Sequence, residues 1–129
     1  MDNRPPIFLD SSVLIAAARE KKARRLGAAT TALIRLSGRR LIVSVVTVEE
    51  VLEGSDRPDL TLAQLSADYT VQAITLAVAR RCALIQSRAR QRLGENDAWI
   101  VAQAEIASAA VLGRDRVAFT RLGSRYLRF

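Results

Sequence analysis

The chain contains no histidine, and this absence excludes several kinds of active site. Without histidine there is no Ser-His-Asp triad, no Cys-His pair and no nuclease that uses histidine as its general acid and base. The single cysteine, Cys82, cannot form a disulfide within the chain or complete a zinc site of the usual Cys/His kind. Catalysis must therefore depend on carboxylates, hydroxyls, amines or a hard metal ion.

Long apolar runs and aromatic residues are also scarce. No stretch of eighteen or more apolar residues occurs, so we expect no membrane span, and residues 1–6 lack the hydrophobic centre of a signal peptide. We expect a cytoplasmic protein with one domain over residues 1–129. With one Trp, two Tyr and three Phe, a platform for stacking nucleic-acid bases is not evident.

Basic residues are in excess. There are 20 Lys and Arg against 13 Asp and Glu, and the net charge of +7 favours an anionic partner such as nucleic acid, or an acidic protein. Arg81, Arg88 and Arg92 share one flank of a predicted helix. Because guanidinium forks match phosphate oxygens, these three are candidate substrate-binding residues. The alternative is that these arginines only form the solvent-exposed face of the helix.

Short apolar runs alternate with helical patterns along the chain. Predicted strands cover residues 7–10, 41–45, 70–74, 110–112 and 126–129, and the last is an edge strand. Predicted helices cover about 13–19 and 24–36, a third lies between Thr47 and Gly54, and others cover about 76–92, 97–108 and 116–122, while 55–68 is a loop with one helical piece. Strands separated by helices predict a parallel sheet that is covered on both faces.

Several residues are predicted to begin or end these helices. Ser11 or Ser12 can cap the first helix, and Gly38 closes the second. Thr47 caps the third, because Glu50 follows it at the capping-box spacing, and Gly54 ends that helix. Ser12 could instead orient a water molecule or contact a phosphate.

Four acids stand at predicted strand ends or helix starts: Asp10, Glu50, Asp97 and Asp115. In parallel sheets, ligands bind beyond the carboxyl ends of the strands, so one rim could collect all four. Two carboxylates about 5 Å apart repel by roughly 3 kcal/mol at an effective dielectric constant near 20, and a cation would offset this. Oxygen ligands alone suit Mg²⁺ or Mn²⁺ rather than zinc. Helix capping is the structural alternative for each acid except Asp10, which ends an apolar strand.

Four segments that contain these acids resemble, in order, the four motifs of PIN-domain ribonucleases. They are FLDSSVLI at 8–15, SVVTVEEVLEG at 44–54, GENDAWIVAQA at 94–104 and VLGRDRVAF at 111–119. In the second motif a glutamate stands four residues before a glycine, which selects Glu50 rather than Glu49. The chain is similar in particular to the VapC-like toxins of type II toxin–antitoxin systems.

The resemblance implies a three-layer α/β/α domain with a mostly parallel sheet of about five strands. It also implies an endoribonuclease that depends on Mg²⁺ or Mn²⁺, with transfer or ribosomal RNA as substrate. Asp10, Glu50, Asp97 and Asp115 would be the catalytic and metal-binding residues. A VapB-like antitoxin and a second copy of the chain, in a homodimer, would be its protein partners.

Two departures from the family pattern leave alternatives open. Gly113 stands where Thr or Ser is common, and no further acid follows Asp115 by a few residues. A catalytically silent PIN-like module that binds RNA or protein is one alternative, and a housekeeping RNA-processing nuclease is another. A small-molecule phosphatase has little support, because Ser11 and Ser12 follow Asp10 where an Asp-x-Asp motif would be needed.

Overall fold

A five-stranded sheet forms the centre of the computed structural model, which describes residues 3–114 and 117–129. Every strand pair is parallel, in the order β3-β2-β1-β4-β5. The strands are β1 at Ile7–Leu9, β2 at Leu41–Ser44, β3 at Thr70–Gln72, β4 at Ala110–Gly113 and β5 at Tyr126–Arg128. The predicted parallel sheet of about five strands is therefore confirmed, with the last strand at an edge.

Six α-helices and one 3-10 segment surround the sheet in the described part of the chain. The helices are α1 at Ser11–Lys22, α2 at Ala28–Arg35, α3 at Val45–Glu53, α4 at Pro58–Asp68, α5 at Leu76–Arg88 and α6 at Glu95–Ala107. The 3-10 segment is Val117–Arg125, and it is interrupted at Gly123. None of the described helices combines the length and the apolar character that crossing a membrane requires.

Side chains alternate between the two faces of the sheet and so create two cores. In the fully buried strand β1, Ile7 and Leu9 pack with α1, α2, α3 and α4. Phe8 points to the other face and packs with α5, α6 and the 3-10 segment. The two cores lie on opposite sides of one sheet, which confirms the three-layer α/β/α architecture.

Strand order changes direction at β1. The chain goes from β1 to β2 and β3 on one side, and then crosses to β4 and β5 on the other. Open parallel sheets bind ligands outside the carboxyl ends of the strands at such a switch point. Asp10 follows β1 and Arg114 follows β4, so both residues lie at this position.

The first two helices begin and end at other residues than predicted. Asp10, not Ser11 or Ser12, is the N-cap of α1, because its carboxylate accepts a hydrogen bond from the Ser12 backbone N–H. Helix α2 begins at Ala28 instead of near residue 24, and Leu36 is its C-cap, so Gly38 does not close it.

The predicted Thr47–Glu50 capping box is wrong. Ser44 is the N-cap of α3, and its Oγ accepts a hydrogen bond from the Val46 N–H at 3.1 Å. Thr47 is therefore a buried residue within the helix. Gly54 is the C-cap, as predicted.

Three more helix boundaries differ from the sequence prediction. Segment 55–68 is mostly helix, since Pro58 at the first helical positions suits a helix start. Helix α5 stops at Arg88 rather than near residue 92. Helix α6 begins at Glu95 after the N-cap Gly94, so Asp97 is its third residue rather than its first.

Candidate functional site

Asp10 is a buried acid held by its neighbours. Only 1% of its surface is exposed. Its Oδ2 accepts hydrogen bonds from the Ser12 N–H at 3.2 Å and from the Ser12 hydroxyl at 2.6 Å. The second distance is typical of a hydroxyl that donates to an ionised carboxylate. The orientation of Asp10 is therefore fixed by the first turn of α1.

Ser12 also connects the ends of β1 and β4. Its Oγ accepts a hydrogen bond from the Arg114 N–H at 3.1 Å, although 102 positions separate the two residues. The hydroxyl thus donates to Asp10 and accepts from Arg114 at the switch point. Asp115, the next residue, lies outside the described part of the chain, so its predicted role as a ligand stays a prediction. The same holds for substrate contact by Ser12.

The Arg114 side chain contacts the residue after β5. Its guanidinium lies 3.9 Å from the centre of the Phe129 ring, and Nη2 donates to the Phe129 carbonyl at 3.4 Å. Cation–π contacts of this kind are favourable when the guanidinium lies over the ring face. This contact joins Arg114 to the residue that follows β5.

Packing explains why Gly113 stands where PIN domains commonly have Thr or Ser. A Cβ atom at this position would lie 3.0 Å from Asp10 Cβ and 3.1 Å from Phe119 Cε2. Phe119 is fully buried, so it has little freedom to move away. The absence of a side chain at Gly113 leaves room for Asp10 at the carboxyl end of the central strand.

Glu50 and Asp97 line one surface depression although they belong to different helices. The depression measures about 400 Å³, and Gly94, Glu95 and Asn96 complete its lining. Asp97 lies in the first turn of α6, where the free N–H groups and the helix dipole stabilise negative charge. The structure thus brings together two of the four predicted acids.

More acids surround Glu50 on α3. A hydrogen bond with Glu53 raises the pKa of Glu49, and some loss of hydration and the charges of Glu53 and Glu50 raise it further. A raised pKa is what mutual repulsion among neighbouring carboxylates produces. This part of a basic protein is therefore locally acidic.

Within residues 3–114 and 117–129, no group of three or more acidic or cysteine side chains is close enough to hold a metal ion. Among the described acids, Glu50 and Asp97 share the lining of one depression, and Asp10 is not among its lining residues. Asp10 Oδ2 accepts hydrogen bonds from Ser12. The fourth acid, Asp115, is not described.

The three candidate arginines do not share one helix flank. Arg81 Nη1 lies 3.1 Å from Glu105 Oε1, in an ion pair between α5 and α6. Glu105 is eight residues after Asp97, a separation of about 12 Å along a helix. Arg88 ends α5, and Arg92 lies beyond it. The prediction of a common flank was wrong because the helix is shorter than its sequence pattern indicated.

Arg92 nevertheless lies near an acid of the site. It lines a second depression, of about 410 Å³, together with Gln91, Leu93, Gly94, Asp97, Val117 and Ala118. Asp97 therefore stands between an acidic depression that contains Glu50 and another that contains Arg92. A phosphate group near Asp97 would meet positive charge on this second side.

The sequence analysis did not single out Gln86 or Glu20. The side-chain amide of Gln86 bonds to the backbone of Leu93, and the carboxylate of Glu20 bonds to the start of α2. Each contact spans seven or more positions, and no local motif indicates it. Only the turn residue Gly27, close after Glu20, could have served as a signal.

Comparison with known proteins agrees with this architecture. The family model "PIN domain" matches residues 7–124. A toxin–antitoxin complex from Klebsiella pneumoniae is 19% identical, with a TM-score of 0.69, over 94% of this chain and 98% of the other. VapBC2 from Rickettsia felis, bound to a DNA fragment from its promoter, is 13% identical, with a TM-score of 0.74, over 96% and 97%.

A third structure with this fold is FitAcB from Neisseria gonorrhoeae, which is 20% identical, with a TM-score of 0.67, over 95% of this chain and 96% of the other. No curated protein sequence matches the chain. At these identities the solved structures show a shared fold. The family model covers most of the residues and all four acidic motifs, and on that ground this chain belongs to the PIN domain family.

Proposed function

We propose that the chain is an endoribonuclease dependent on Mg²⁺ or Mn²⁺, and that it is the toxin of a VapBC-type pair. The observation that carries the proposal is the depression shared by Glu50 and Asp97 in a fold of the PIN family. An acidic depression on a protein of net charge +7 is suited to cleaving a polyanion, because the basic surface attracts the substrate.

The donor set fits a hard divalent cation. Carboxylate oxygens are the ligands that Mg²⁺ and Mn²⁺ prefer, and Asp10, Glu50, Asp97 and Asp115 would hold the ion under this proposal. When bound, the ion supplies positive charge at the scissile phosphate and lowers the pKa of the attacking water. The expected products carry a 5′-phosphate and a 3′-hydroxyl.

The protein groups would act mainly by position and charge. The Ser12 proton is directed to Asp10 Oδ2 and its oxygen accepts from the Arg114 N–H, so Ser12 orients Asp10 rather than acting as a nucleophile. Asp97 would have its negative charge stabilised by the dipole at the N-terminus of α6. Arg88 and Arg92 would contact the RNA backbone, whereas Arg81 already forms an ion pair with Glu105, which it shares with Arg121.

A VapB-like antitoxin is the proposed protein partner. The structures with the same fold include a toxin–antitoxin complex and VapBC proteins, which supports such a partner. Leu26 and Ile34, beside and on α2, are 71% and 60% exposed, and a partner could cover these apolar side chains. The substrate proposed is transfer or ribosomal RNA, which would place the protein in the cytoplasm, and a homodimer is the proposed assembly.

A catalytically silent RNA- or protein-binding module is the second candidate function. It is favoured by one observation: Asp10, Glu50 and Asp97 do not form a three-acid group among the described residues. A housekeeping RNA-processing nuclease would use the same site and differs in its substrate and partner.

The test is cleavage of total cellular RNA by the purified protein without antitoxin, in Mg²⁺ or Mn²⁺. We expect discrete fragments that disappear with EDTA and in Asp97→Asn. Asp56→Asn, which changes an exposed acid in the loop before α4, is the matched control and should cleave like the wild type. If wild type and Asp97→Asn behave alike with and without metal, the nuclease proposal fails and the silent module is favoured.

A further inference from the structure

Three arginines lie within five positions at the end of α5. Arg88, Arg90 and Arg92 are all exposed. No salt bridge to any of them occurs in the described part of the chain, whereas Arg81 on the same helix is paired with Glu105. Three like charges in a short segment repel one another, and binding an anion would relieve this repulsion.

The side chain of Gln86 fixes the end of the segment that carries these three arginines. Gln86 Nε2 donates to the Leu93 carbonyl at 3.0 Å, and Gln86 Oε1 accepts from the Leu93 N–H at 2.9 Å. The amide thus satisfies both backbone groups of one residue, as a neighbouring strand would. Leu93 also packs against the core that α5 and α6 share. The segment from Arg88 to Leu93 is therefore fixed at both ends, by helix α5 and by this contact.

The fixed segment borders the site. Gln91, Arg92 and Leu93 line the depression that contains Asp97, and Gly94 belongs to both depressions beside Asp97. A nucleic-acid strand with one phosphate at Asp97 would therefore have an adjacent phosphate beside Arg92, and Arg90 and Arg88 precede Arg92 by two and four positions in the chain.

We propose that residues 88–93, here named the arginine arm, bind the phosphates of a single RNA strand next to the cleaved position, and that Gln86 is the positioning residue of this arm. The proposal rests on the proposed function for the identity of the ligand. Gln86 does not contact RNA. It reduces the conformational freedom that the arm would otherwise lose on binding, so its removal weakens binding rather than chemistry.

The first experiment measures binding without cleavage. A fluorescein-labelled single-stranded RNA of mixed sequence is titrated with protein in EDTA over a series of salt concentrations, with fluorescence anisotropy as readout. For Arg90→Gln/Arg92→Gln we expect weaker binding, and a slope of log K against log salt that is shallower by about 0.7 for each lost contact.

Controls are matched in charge and in chemistry. Arg80→Gln/Arg40→Gln removes the same charge from exposed positions, and Arg40 precedes β2, at the opposite end of the sheet. Gln86→Met should weaken binding several-fold, and Gln64→Met, at an exposed position on α4, should not. If the two arginine double variants have equal salt slopes, the proposal that the arginine arm binds RNA phosphates is wrong.

A double-mutant cycle separates positioning by Gln86 from a general effect on folding. In the Arg90→Gln/Arg92→Gln background, Gln86→Met should cause no further loss of RNA binding, because the groups that it positions are absent. Its effect on the thermal midpoint should be the same in both backgrounds. An equal loss of RNA binding in both backgrounds would overturn the role of Gln86.

Cleavage kinetics distinguish this proposal from the proposed function. With an RNA that the wild type cleaves, Gln86→Met and the arm variant should raise KM and leave kcat unchanged. If the wild type cleaves no RNA but its binding depends on the arm, the nuclease proposal fails and the arm stands. If the wild type cleaves RNA and the arm variants bind RNA like the wild type, the proposal for the arginine arm is wrong and the nuclease proposal stands.

Discussion

Two buried carboxylates, Glu20 and Asp10, have very different surroundings. Glu20 accepts backbone N–H hydrogen bonds from Gly27, Ala29 and Thr30, at 3.1, 3.1 and 2.9 Å, and so caps α2 from the end of α1. Asp10 accepts from Ser12 at the carboxyl end of the central strand. Burial is similar, with 5% of Glu20 and 1% of Asp10 exposed, so burial alone does not distinguish the two acids.

The two acids differ in the groups that they bond to and in their positions relative to the sheet. The start of α2 has backbone N–H groups that need acceptors, and Glu20 supplies them. Hydrogen bonds from Thr30, above all, lower the pKa of Glu20, which shows that the site favours the ionised form. Asp10 also caps a helix, but it does so at the position where the strand order reverses and where the chain brings β4 alongside. The four predictions below test this contrast.

Asp10→Asn should have the largest effect, and on cleavage rather than on folding. Asn is as good an N-cap as Asp, so α1 should keep its start. Under the proposed function the loss of a metal-binding charge removes several kcal/mol of transition-state stabilisation, and kcat/KM should fall on the order of a hundredfold or more. Metal-dependent RNA cleavage and thermal unfolding measure the two effects.

Glu20→Gln is the counterpart for this first prediction. It should cleave RNA like the wild type at temperatures where it is folded. If Asp10→Asn retains wild-type cleavage, or if Glu20→Gln loses it while folded, the distinction between the two acids is wrong.

The second prediction concerns the stability of Glu20→Gln and its dependence on pH. The variant should unfold at lower urea concentration at pH 7, because the Gln amide group cannot accept all three hydrogen bonds. The folded-state pKa of Glu20 lies below its ordinary value of 4.5. Its ionised form therefore stabilises the wild type above about pH 4.5, and this contribution is lost as pH falls through the lower, folded-state pKa.

Urea midpoints at several pH values between neutral and acid test this sign. The difference between wild type and Glu20→Gln should shrink as the solution is acidified, and Asp56→Asn should show no such change. A difference that grows toward acid pH would contradict the structural role of Glu20.

The third prediction uses the close packing around Asp10. Gly113→Ser introduces the hydroxyl residue common in the family, but its Cβ would press against Asp10 and Phe119. Overpacking of this kind costs about 1–3 kcal/mol of unfolding free energy. Gly38→Ser is the control, because nothing lies within 4 Å of a Cβ added there. A gain in stability for Gly113→Ser would show that the space beside Asp10 is not filled.

Ser12→Ala should have the smallest effect of the four. It removes the hydroxyl that donates to Asp10 and accepts from Arg114, so we expect a loss of about 1 kcal/mol in unfolding free energy. Cleavage should fall less than in Asp10→Asn, because the carboxylate itself remains. Ser37→Ala, at an exposed position after α2, is the control in urea unfolding. A cleavage defect as large as that of Asp10→Asn would assign Ser12 a direct part in the chemistry.

Much of the fold could be predicted because strands that are buried on both faces are nearly continuous apolar runs. The run IFL at Ile7–Leu9 and the run LIVS at Leu41–Ser44 show this, and both were predicted within one residue. Helix ends were less predictable, because any of several polar residues can cap. Ser44 rather than Thr47 begins α3, since its Oγ accepts from the Val46 N–H.

The site could be predicted only in part. A strand that ends in an acid made Asp10 a candidate site residue, and an acid near a helix start made Asp97 another. The sequence could not show that Glu50 lines a depression with Asp97 while Asp10 turns to Ser12. Nor could it show that Arg81 forms an ion pair with Glu105, because the partner comes from another helix.

By itself the sequence determined the order of strands and helices, the exclusion of histidine chemistry, the basic charge and the acids that follow the strands. These properties depend on residue types and on periodicity over a few positions. The tertiary structure alone decided the capping of α2 by Glu20, the hydrogen bond between Ser12 and Arg114, and the hydrogen bond between Gln86 and Leu93. Those contacts join residues seven to 102 positions apart, and packing of the whole chain brings them within hydrogen-bond distance.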